Sequence, residues 1–259
     1  MKDIIEKLSY KSTYERMLII RDYLDEIGFP YYQSHVQDGV GNIHVDLRKD
    51  ENAPYYMFCA HFDVVEGSSG ANDNASGIAQ LLNLIRKNVF AEINAYVVFS
   101  CFEEQGSLGC YRILDSGFAF GDIGNIKGAV NVDTCGWGDN VYYANRKNAP
   151  VFDVLENIDG LVRLDGIPRN DGDAFLDWGV PAITIMALSG QDEAVLCETK
   201  CCEYSSFELG YEVRSDLPIC NTIHCGVNDN ADIIDYDIMR RVESILCKII
   251  NLIYDKMEE

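Results

Sequence analysis

The sequence has few basic residues and no long apolar run. Its 259 residues include 21 lysines and arginines against 42 aspartates and glutamates, a formal net charge of −21. Because such a surface repels phosphate backbones, nucleic acid is not an expected partner. No apolar stretch approaches the roughly 20 residues of a membrane span. The start, MKDIIEKLSYKSTYER, lacks the apolar core of a secretory signal. We therefore expect a cytoplasmic protein that binds neither nucleic acid nor membrane.

The cysteines lack the spacing of a disulfide framework. Ten cysteines occur in a long chain without a secretory signal, which favours reduced thiols. Five of them crowd one region: Cys197, Cys201, Cys202, Cys220 and Cys225. A structural zinc there is an alternative, but no paired CxxC motif supports it. We expect free thiols.

Helix and strand patterns alternate along the chain. Ser12-Thr13-Tyr14-Glu15 is a capping box, and the helical spacing after it ends at Gly28. Apolar runs predict buried strands at Tyr55–Ala60, Ala95–Ser100, Gly128–Val132 and Ala182–Leu188. Helical patterns occupy Ala75–Lys87, Leu108–Ser116 and the segment after Asp235. Continuous apolar strands separated by helices indicate a largely parallel α/β sheet covered on both faces. Since no linker or repeat interrupts this pattern, we expect one domain over residues 1–259.

Two segments differ from this pattern. Gly41–Leu47 alternates between apolar and polar residues, which predicts a half-buried strand with His44 on its polar side. We therefore expect His44 and His35 at the surface. Residues 189–222 fit no clean period. Since ligands bind beyond the carboxyl ends of parallel strands, this irregular segment is a candidate pocket wall.

Ligand-type side chains stand at the ends of successive predicted strands or in the loops that follow. Seven residues share this placement: His61, Asp63, Asp73, Glu103, Glu104, Asp133 and His224. Each alone has an ordinary explanation, such as a solvated turn or a helix N-cap. Parallel strands, however, bring their carboxyl ends to one edge of a sheet. Together the seven residues therefore indicate a metal site.

The residue types suit zinc, which accepts nitrogen and oxygen ligands. Two imidazoles and three carboxylates are too many for one tetrahedral ion that keeps a water, so we expect two ions. Asp73, held in a loop, suits the bridging position. Asp63 lies on the same side of the strand as His61 and can accept the second imidazole N–H. Adjacent glutamates on an extended segment point in different directions, so we expect Glu103 as the general base and Glu104 as a ligand.

These residues resemble a known peptidase family. The matching stretches are HFD at 61–63, NDNASG at 72–77, EEQGSLG at 103–109, Asp133, and Ile223-His224. They are similar to the co-catalytic di-zinc aminopeptidases of peptidase clan MH, which include bacterial leucyl-type aminopeptidases. Relatives include glutamate carboxypeptidases and glutaminyl cyclases. The resemblance implies a single three-layer α/β/α sandwich around a mixed, mostly parallel sheet of about eight strands.

The resemblance also implies a ligand set. His61 and Asp133 would hold one zinc. Glu104 and His224 would hold the other, and Asp73 would bridge them beside a cis Asp73–Asn74 peptide bond. Cobalt or manganese can also occupy such shells.

The sequence departs from the family pattern near the expected substrate contacts. The usual Ser-Asp-His reads Asn170-Asp171-Gly172, and Ile223 stands where some members carry a tyrosine. Substrate contacts are expected from four residues: Asp171, Phe175, Tyr204 and Tyr211. The two tyrosines are candidates to replace the one missing at Ile223.

The implied activity is a metallo-aminopeptidase that cleaves the first bond of peptides with a free N-terminus, using a water activated by Glu103. One alternative is a glutaminyl-cyclase-like acyltransferase with a similar shell and one zinc; the intact NDNASG and EEQGSLG stretches favour the peptidase. Another is a non-enzymatic binding domain of the same fold, which typically has lost ligands that this chain retains. A carboxypeptidase or deacylase is a further alternative.

Overall fold

The computed structural model describes residues 1–116, 123–199 and 217–258. In these ranges the α-helices are α1 (Lys2–Leu8), α2 (Thr13–Glu26), α3 (Ser76–Arg86), α4 (Leu108–Ser116), α5 (Asp171–Asp177), α6 (Gly190–Thr199) and α7 (Tyr236–Glu258). The strands are β1 (Tyr32–Gln33), β2 (Ile43–Asp46), β3 (Tyr55–His61), β4 (Ala95–Ser100), β5 (Ile126–Val132), β6 (Asn140–Ala144), β7 (Leu161–Arg163) and β8 (Ala182–Leu188). None of the helices in these ranges has the length and apolarity of a membrane span.

Side-chain caps fix the starts of two helices. The Ser12 hydroxyl accepts a hydrogen bond from the Glu15 amide at 3.3 Å, and the Glu15 carboxylate accepts one from the Ser12 amide at 2.9 Å. At α7, Asp235 Oδ1 accepts a hydrogen bond from the Asp237 amide at 2.7 Å. These bonds satisfy amide groups that have no partner in the first turn of a helix. The predicted capping box at Ser12 is confirmed, and Asp235 caps the final helix.

The strands form one mixed sheet in the order β1-β2-β4-β3-β5-β8-β6-β7. The central strands β4, β3, β5 and β8 are parallel to one another, as are β6 and β7. The pairs β1–β2, β2–β4 and β6–β8 are antiparallel. The expected mixed, mostly parallel sheet of eight strands is confirmed.

Helices cover both faces of the sheet. Successive strand residues point to opposite faces, so Tyr56 and Phe58 of β3 pack in one apolar cluster with residues of α1, α2, α3 and α7. Met57 and Cys59 of the same strand pack in a second cluster with residues of α4 and α5. β3 is therefore buried over its whole length, and the fold has three layers.

The connections around β3 create a crevice at its carboxyl end. The chain leaves β3 through α3 on the first face and adds β4 on one side of β3. It then leaves β4 through α4 on the second face and passes β3 to add β5 on the other side. Where consecutive connections depart in opposite directions, the loops separate and leave room for a ligand.

The prediction that His44 lies at the surface is wrong. Its side chain is buried, with 1% exposed. Tyr32 of β1 stacks on the imidazole at 4.5 Å between ring centroids, and Ser34 Oγ lies 2.8 Å from His44 Nε2. Alternation predicted one open face for this strand, but β1 and its flanking residues cover it. His35 is exposed, as expected.

The prediction of irregular structure over residues 189–222 is wrong in its first part, which forms α6. Ser189 and Asp192 cap this helix, since the Ser189 amide donates to Asp192 Oδ2 at 3.0 Å and the Asp192 amide donates to Ser189 Oγ at 3.2 Å. Leu196 is its one buried apolar side chain among residues 190–198, so the sequence has no apolar stripe. Residues 200–216 lie outside the described residues.

Candidate active site

The strand ends at the crevice carry the side chains singled out in the sequence. His61 is the last residue of β3 and is paired in register with Ser100, the last residue of β4. Glu103 follows three residues after Ser100, and Asp133 directly follows β5. Because these strands are parallel neighbours, their ends meet at one edge of the sheet. His224 reaches the same place from the loop before α7.

Two groups of three side chains share one carboxylate. His61, Asp73 and Asp133 form the first group. Asp73, Glu104 and His224 form the second, and in each group the ligand atoms lie within 4.8 Å of one another. Asp73 Oδ1 lies 2.9 Å from His61 Nε2, while Asp73 Oδ2 lies 2.9 Å from His224 Nε2. Each oxygen of Asp73 therefore faces a different group.

The remaining distances complete both groups. His61 Nε2 lies 3.5 Å from Asp133 Oδ1, and His224 Nε2 lies 3.0 Å from Glu104 Oε1. His61 Nε2 and Asp133 Oδ1 are buried without a well-formed hydrogen bond. Since buried polar atoms are nearly always paired, these two atoms are suited to bind a metal ion. Imidazole nitrogens and carboxylate oxygens are donors that zinc accepts, so the residues fit a zinc site.

The segment that carries Asp73 is buried and tied to the sheet. Residues 71–75 precede α3 and are all buried, and the Asp73–Asn74 peptide bond is cis. Asn74 Nδ2 donates to the Val132 carbonyl at 2.9 Å, and Asn74 Oδ1 accepts from the Gly77 amide at 2.9 Å. The expected cis bond is confirmed.

Asp63 connects the ends of β3 and β4. Its Oδ1 lies 3.4 Å from His61 Nδ1. The same carboxylate accepts hydrogen bonds from the Glu103 and Glu104 amides, each at 3.0 Å. The sequence predicted only the contact with His61. The structure shows that Asp63 also fixes the backbone of both glutamates.

Burial and mutual repulsion of the carboxylates make a positive charge favourable at this site. Burial raises the pKa of Glu103 well above its usual value, and the charges of Asp171 and Asp133 raise it further. Burial lowers the pKa of His224, but hydrogen bonds to Asp73 and Glu104 outweigh this and raise it to about 11. The carboxylates thus favour a cation, which protonated histidine or a bound metal ion can supply.

Left-handed backbone marks three of the segments that carry these side chains. Phe102, before Glu103, has φ +59°, and Thr134, after Asp133, has φ +45°. His224 and Cys225 have φ +49° and φ +63°. Non-glycine residues rarely adopt this region, and those that do concentrate at functional sites.

Asp229 ties together the two loops that deliver Asp73 and His224. Its carboxylate accepts hydrogen bonds from Ser68 Oγ and Ser69 Oγ, each at 2.5 Å, and from the Cys225 amide at 2.8 Å. Ser68 Oγ and Ser69 Oγ in turn accept from the Gly70 and Ala71 amides at 3.2 and 3.1 Å. A chain of hydrogen bonds therefore runs from the residue after His224 to the segment that contains Asp73. Sequence reasoning missed Asp229, since its two serine partners lie about 160 positions away.

Arg16 is a second group that the sequence did not reveal. Its guanidinium is fully buried and donates to four backbone carbonyls: Leu8 at 3.1 Å, Phe62 at 3.2 Å, Asp63 at 3.4 Å, and Gly70. Burial lowers the pKa of Arg16 to about 10, while the nearby carboxylates oppose that change. Arg16 thus supports the backbone on both sides of the first ligand group. The helical spacing of α2 gave no sign that a buried residue at this position is charged.

A cavity of about 390 Å³ opens onto the two ligand groups. Its floor includes Asp73, Glu103, Glu104, Asp133 and His224. One wall is apolar and consists of Met186, Leu188, Leu196, Leu217, Ile219 and Ile223. A second, more polar wall is formed by residues just before and at the start of α4 and α5. The cavity therefore joins a cluster of acids to an apolar surface.

Two of the four predicted substrate contacts do not line this cavity. Phe175 is fully buried in the apolar cluster beneath α4 and α5. Asp171 is also fully buried, accepts a hydrogen bond from Ser100 Oγ at 2.5 Å, and has a pKa raised to about 6 by burial. Neither side chain is among the residues that line the cavity, and direct substrate contact stays a prediction for both. Tyr204 and Tyr211 lie outside the described residues.

No cysteine in the described ranges belongs to either ligand group. Cys197 and Cys225 are exposed free thiols. Cys201 and Cys202 lie outside the described residues, so the prediction of free thiols stays a prediction for them.

Comparison with known proteins identifies the family. The model of Peptidase family M28 matches residues 42–250, which include all the ligand-type side chains. No curated protein sequence matches the chain. The structure is similar to BSAP, a zinc aminopeptidase from Bacillus subtilis, with 18% identity and a TM-score of 0.61 over 83% of this chain. The alignment covers 50% of BSAP, so this chain spans about half the length of that enzyme.

Two further structures align over nearly the whole chain. The LapA aminopeptidase of Legionella pneumophila has 15% identity and a TM-score of 0.68, over 98% of this chain and 72% of LapA. A glutaminyl cyclase from an Acidobacteriales bacterium has 15% identity and a TM-score of 0.69, over 98% of this chain and 94% of the cyclase. These similarities show the fold. Since the family match extends over most of the sequence, the chain belongs to peptidase family M28.

Proposed function

We propose that this chain is a zinc-dependent aminopeptidase with two co-catalytic ions. The observation that carries the proposal is the pair of ligand groups that share Asp73, with Glu103 beside them on the cavity floor. In proteins that cleave amide bonds, two neighbouring metal sites with one shared ligand suit hydrolysis by an activated water.

The ligand assignments follow from the two groups. His61 and Asp133 would hold one ion, Glu104 and His224 the other, and Asp73 would lie between them. Zinc bound there supplies Lewis acidity that lowers the pKa of a water and polarises a carbonyl. The carboxylates and the fixed backbone of the site hold the imidazoles in place for this role.

Glu103 is the general base in this proposal. It belongs to neither ligand group, lines the cavity, and has its backbone fixed by Asp63. Its carboxylate accepts a proton from the attacking water and returns it to the leaving amine.

The cavity also suits the N-terminal residue of a peptide. The acids on its floor favour a positively charged α-amine, and the wall from Met186 to Ile223 favours an apolar side chain. Acetylation removes the charge of the amine and adds bulk at the floor. An aminopeptidase therefore requires the free amine, whereas an endopeptidase or deacylase does not.

A glutaminyl-cyclase-like acyltransferase is the second candidate. The observation that favours it is length, because the alignment covers 94% of the cyclase but 50% of BSAP. The complete second group, with Glu104 and His224 around Asp73, favours the peptidase.

The test uses matched peptides with the zinc-loaded protein. Leu-Gly-Gly and its N-acetylated form differ only at the amine, and we expect release of leucine from the first alone. A Glu103→Gln preparation serves as the control for contaminating peptidases. Cleavage of both peptides at similar rates would overturn the aminopeptidase proposal. Conversion of a Gln-Gly-Gly peptide to its pyroglutamyl form without bond cleavage would establish the cyclase instead.

A further inference from the structure

One cation stands on the polar wall of an otherwise acidic cavity. Among the described residues that line the cavity, Arg169 is the single lysine or arginine. The net charge of the chain is −21, and the cavity floor carries four carboxylates (Asp73, Glu103, Glu104 and Asp133). A cation at this position therefore departs from the charge of its surroundings.

The backbone of Arg169 is fixed on both sides. The Pro168 carbonyl accepts hydrogen bonds from Arg146 Nη2 at 2.6 Å and from Asn170 Nδ2 at 3.0 Å. The Asn170 amide donates to Asp173 Oδ2 at 2.9 Å. Arg169 therefore has a defined position at the start of α5.

Most of the donors of this guanidinium make no hydrogen bond to the described residues. Arg169 Nη2 donates to Asp177 Oδ2 at 2.6 Å, and this is its one hydrogen bond to protein within the described ranges. Tyr111 also donates to Asp177 Oδ2, at 2.6 Å. Asp173, another carboxylate on this wall, forms an ion pair with Arg146. A guanidinium has five N–H donors in a fork that matches a carboxylate.

Arg169 and the reacting groups line the same cavity. The lining of this space of about 390 Å³ includes Arg169, Glu103 and Glu104. Asp171, two positions after Arg169, accepts a hydrogen bond from Ser100 at the end of β4, three residues before Glu103. A peptide bound at the glutamates therefore shares the cavity with the Arg169 side chain.

We propose that Arg169 forms a subsite that binds a carboxylate of the substrate. This inference rests on the proposed aminopeptidase function and narrows its substrate class to short or acidic peptides. Two sources share this chemistry: the C-terminal carboxylate of a dipeptide and the acidic side chain of an N-terminal glutamate. The same fork would pair with either one.

The test compares substrates that differ only in one carboxylate. Leu-Gly and Leu-Gly-amide test the C-terminal carboxylate, and the Glu and Gln p-nitroanilides test the side chain. The zinc-loaded wild type is compared with Arg169→Gln and Arg169→Lys. Arg240→Gln is the matched control, since Arg240 is also an exposed arginine paired with one aspartate, Asp237, but lies on α7 outside the cavity lining.

The readout is the ratio of kcat/KM between the charged and the neutral member of each pair. A hydrogen-bonded charge contributes enough that Arg169→Gln should lower this ratio about 10- to 100-fold for one pair. Arg169→Lys should keep part of the preference, and Arg240→Gln should keep all of it. A lower ratio for the Leu-Gly pair assigns the subsite to dipeptides. A lower ratio for the anilide pair assigns it to acidic N-terminal residues. Unchanged ratios in both pairs would overturn the subsite.

A binding measurement separates this inference from the proposed function. Calorimetric titration of Leu-Gly and Leu-Gly-amide into zinc-loaded Glu103→Gln protein, with and without Arg169→Gln, needs no turnover. If the wild type cleaves none of the substrates but Arg169→Gln weakens binding of Leu-Gly selectively, the subsite stands and the aminopeptidase proposal falls. Equal binding of both ligands by both proteins excludes the dipeptide carboxylate, and together with an unchanged ratio for the Glu and Gln anilides it overturns the subsite.

Discussion

Replacing Asp63 with asparagine breaks the connection between the ends of β3 and β4. In the wild type, the two carboxylate oxygens accept hydrogen bonds from the Glu103 and Glu104 amides, each at 3.0 Å. Asparagine keeps one acceptor oxygen and places an NH₂ group against the other amide. One charge-assisted hydrogen bond, which contributes about 1.5–3 kcal/mol, is lost and an N–H group is left without an acceptor. The segment that carries Glu104 should therefore loosen.

We expect Asp63→Asn to weaken zinc binding about 10- to 100-fold, the range seen when groups that orient metal ligands are changed. The assay is competition for zinc with a chromophoric chelator, and thermal unfolding in excess EDTA measures the stability of the metal-free protein separately. Asp232→Asn is the control, since Asp232 is exposed and not bonded to the site. Wild-type zinc affinity in Asp63→Asn would refute the conclusion that this carboxylate positions the ligands.

Three further predictions address the base, the loops and the edge of the sheet. Glu103→Gln should lower kcat at least about 100-fold with zinc content unchanged, whereas Glu104→Gln should lower zinc content as well; equal zinc loss in both would contradict their separate roles. Asp229→Ala should weaken binding of one zinc more than the other, because the Cys225 amide beside His224 loses its acceptor, and two-site zinc titration that finds both affinities unchanged would exclude this role. Burial lowers the pKa of His44 from 6.5 to about 3, so the folded state holds it neutral and the unfolded chain takes up a proton below pH 6.5. The free energy of unfolding should therefore fall as the pH drops from about 6.5 toward 3, by up to about 1.4 kcal/mol per pH unit from this group, and urea denaturation of His44→Leu at pH 6, 5 and 4 should show a smaller fall; an identical pH dependence would refute the assignment.

The central strands and their helices could be predicted because a strand buried on both faces is a continuous run of apolar residues in the sequence. The bounds of β4, β8 and α4 agree with the predicted Ala95–Ser100, Ala182–Leu188 and Leu108–Ser116. The short outer strands β1, β6 and β7 were not predicted. Their residues become strands through pairing with a neighbour, and two to five residues carry too little pattern to show this.

The candidate ligands could be predicted for a related reason. In a parallel sheet the site lies at the carboxyl ends of the strands. A residue that directly follows an apolar run is therefore predicted to lie at the site. His61 and Asp133 were found in this way. Asp229 and Arg16 were not, because their roles depend on loops and carbonyls far away in the sequence. Phe175 was assigned to the substrate by resemblance, but its position on α5 turns it into the core.

The sequence by itself determined the types of ligand, their order along the chain and the parallel strands that carry them, because strand burial and strand ends are local properties. Only the tertiary structure decided how these groups meet. The two oxygens of Asp73 face different histidines because β3, the segment before α3 and the loop before α7 converge at one point. The burial of His44 and the position of Arg169 on the cavity wall were decided in the same way. Each depends on contacts between segments distant in sequence, and no local pattern records such contacts.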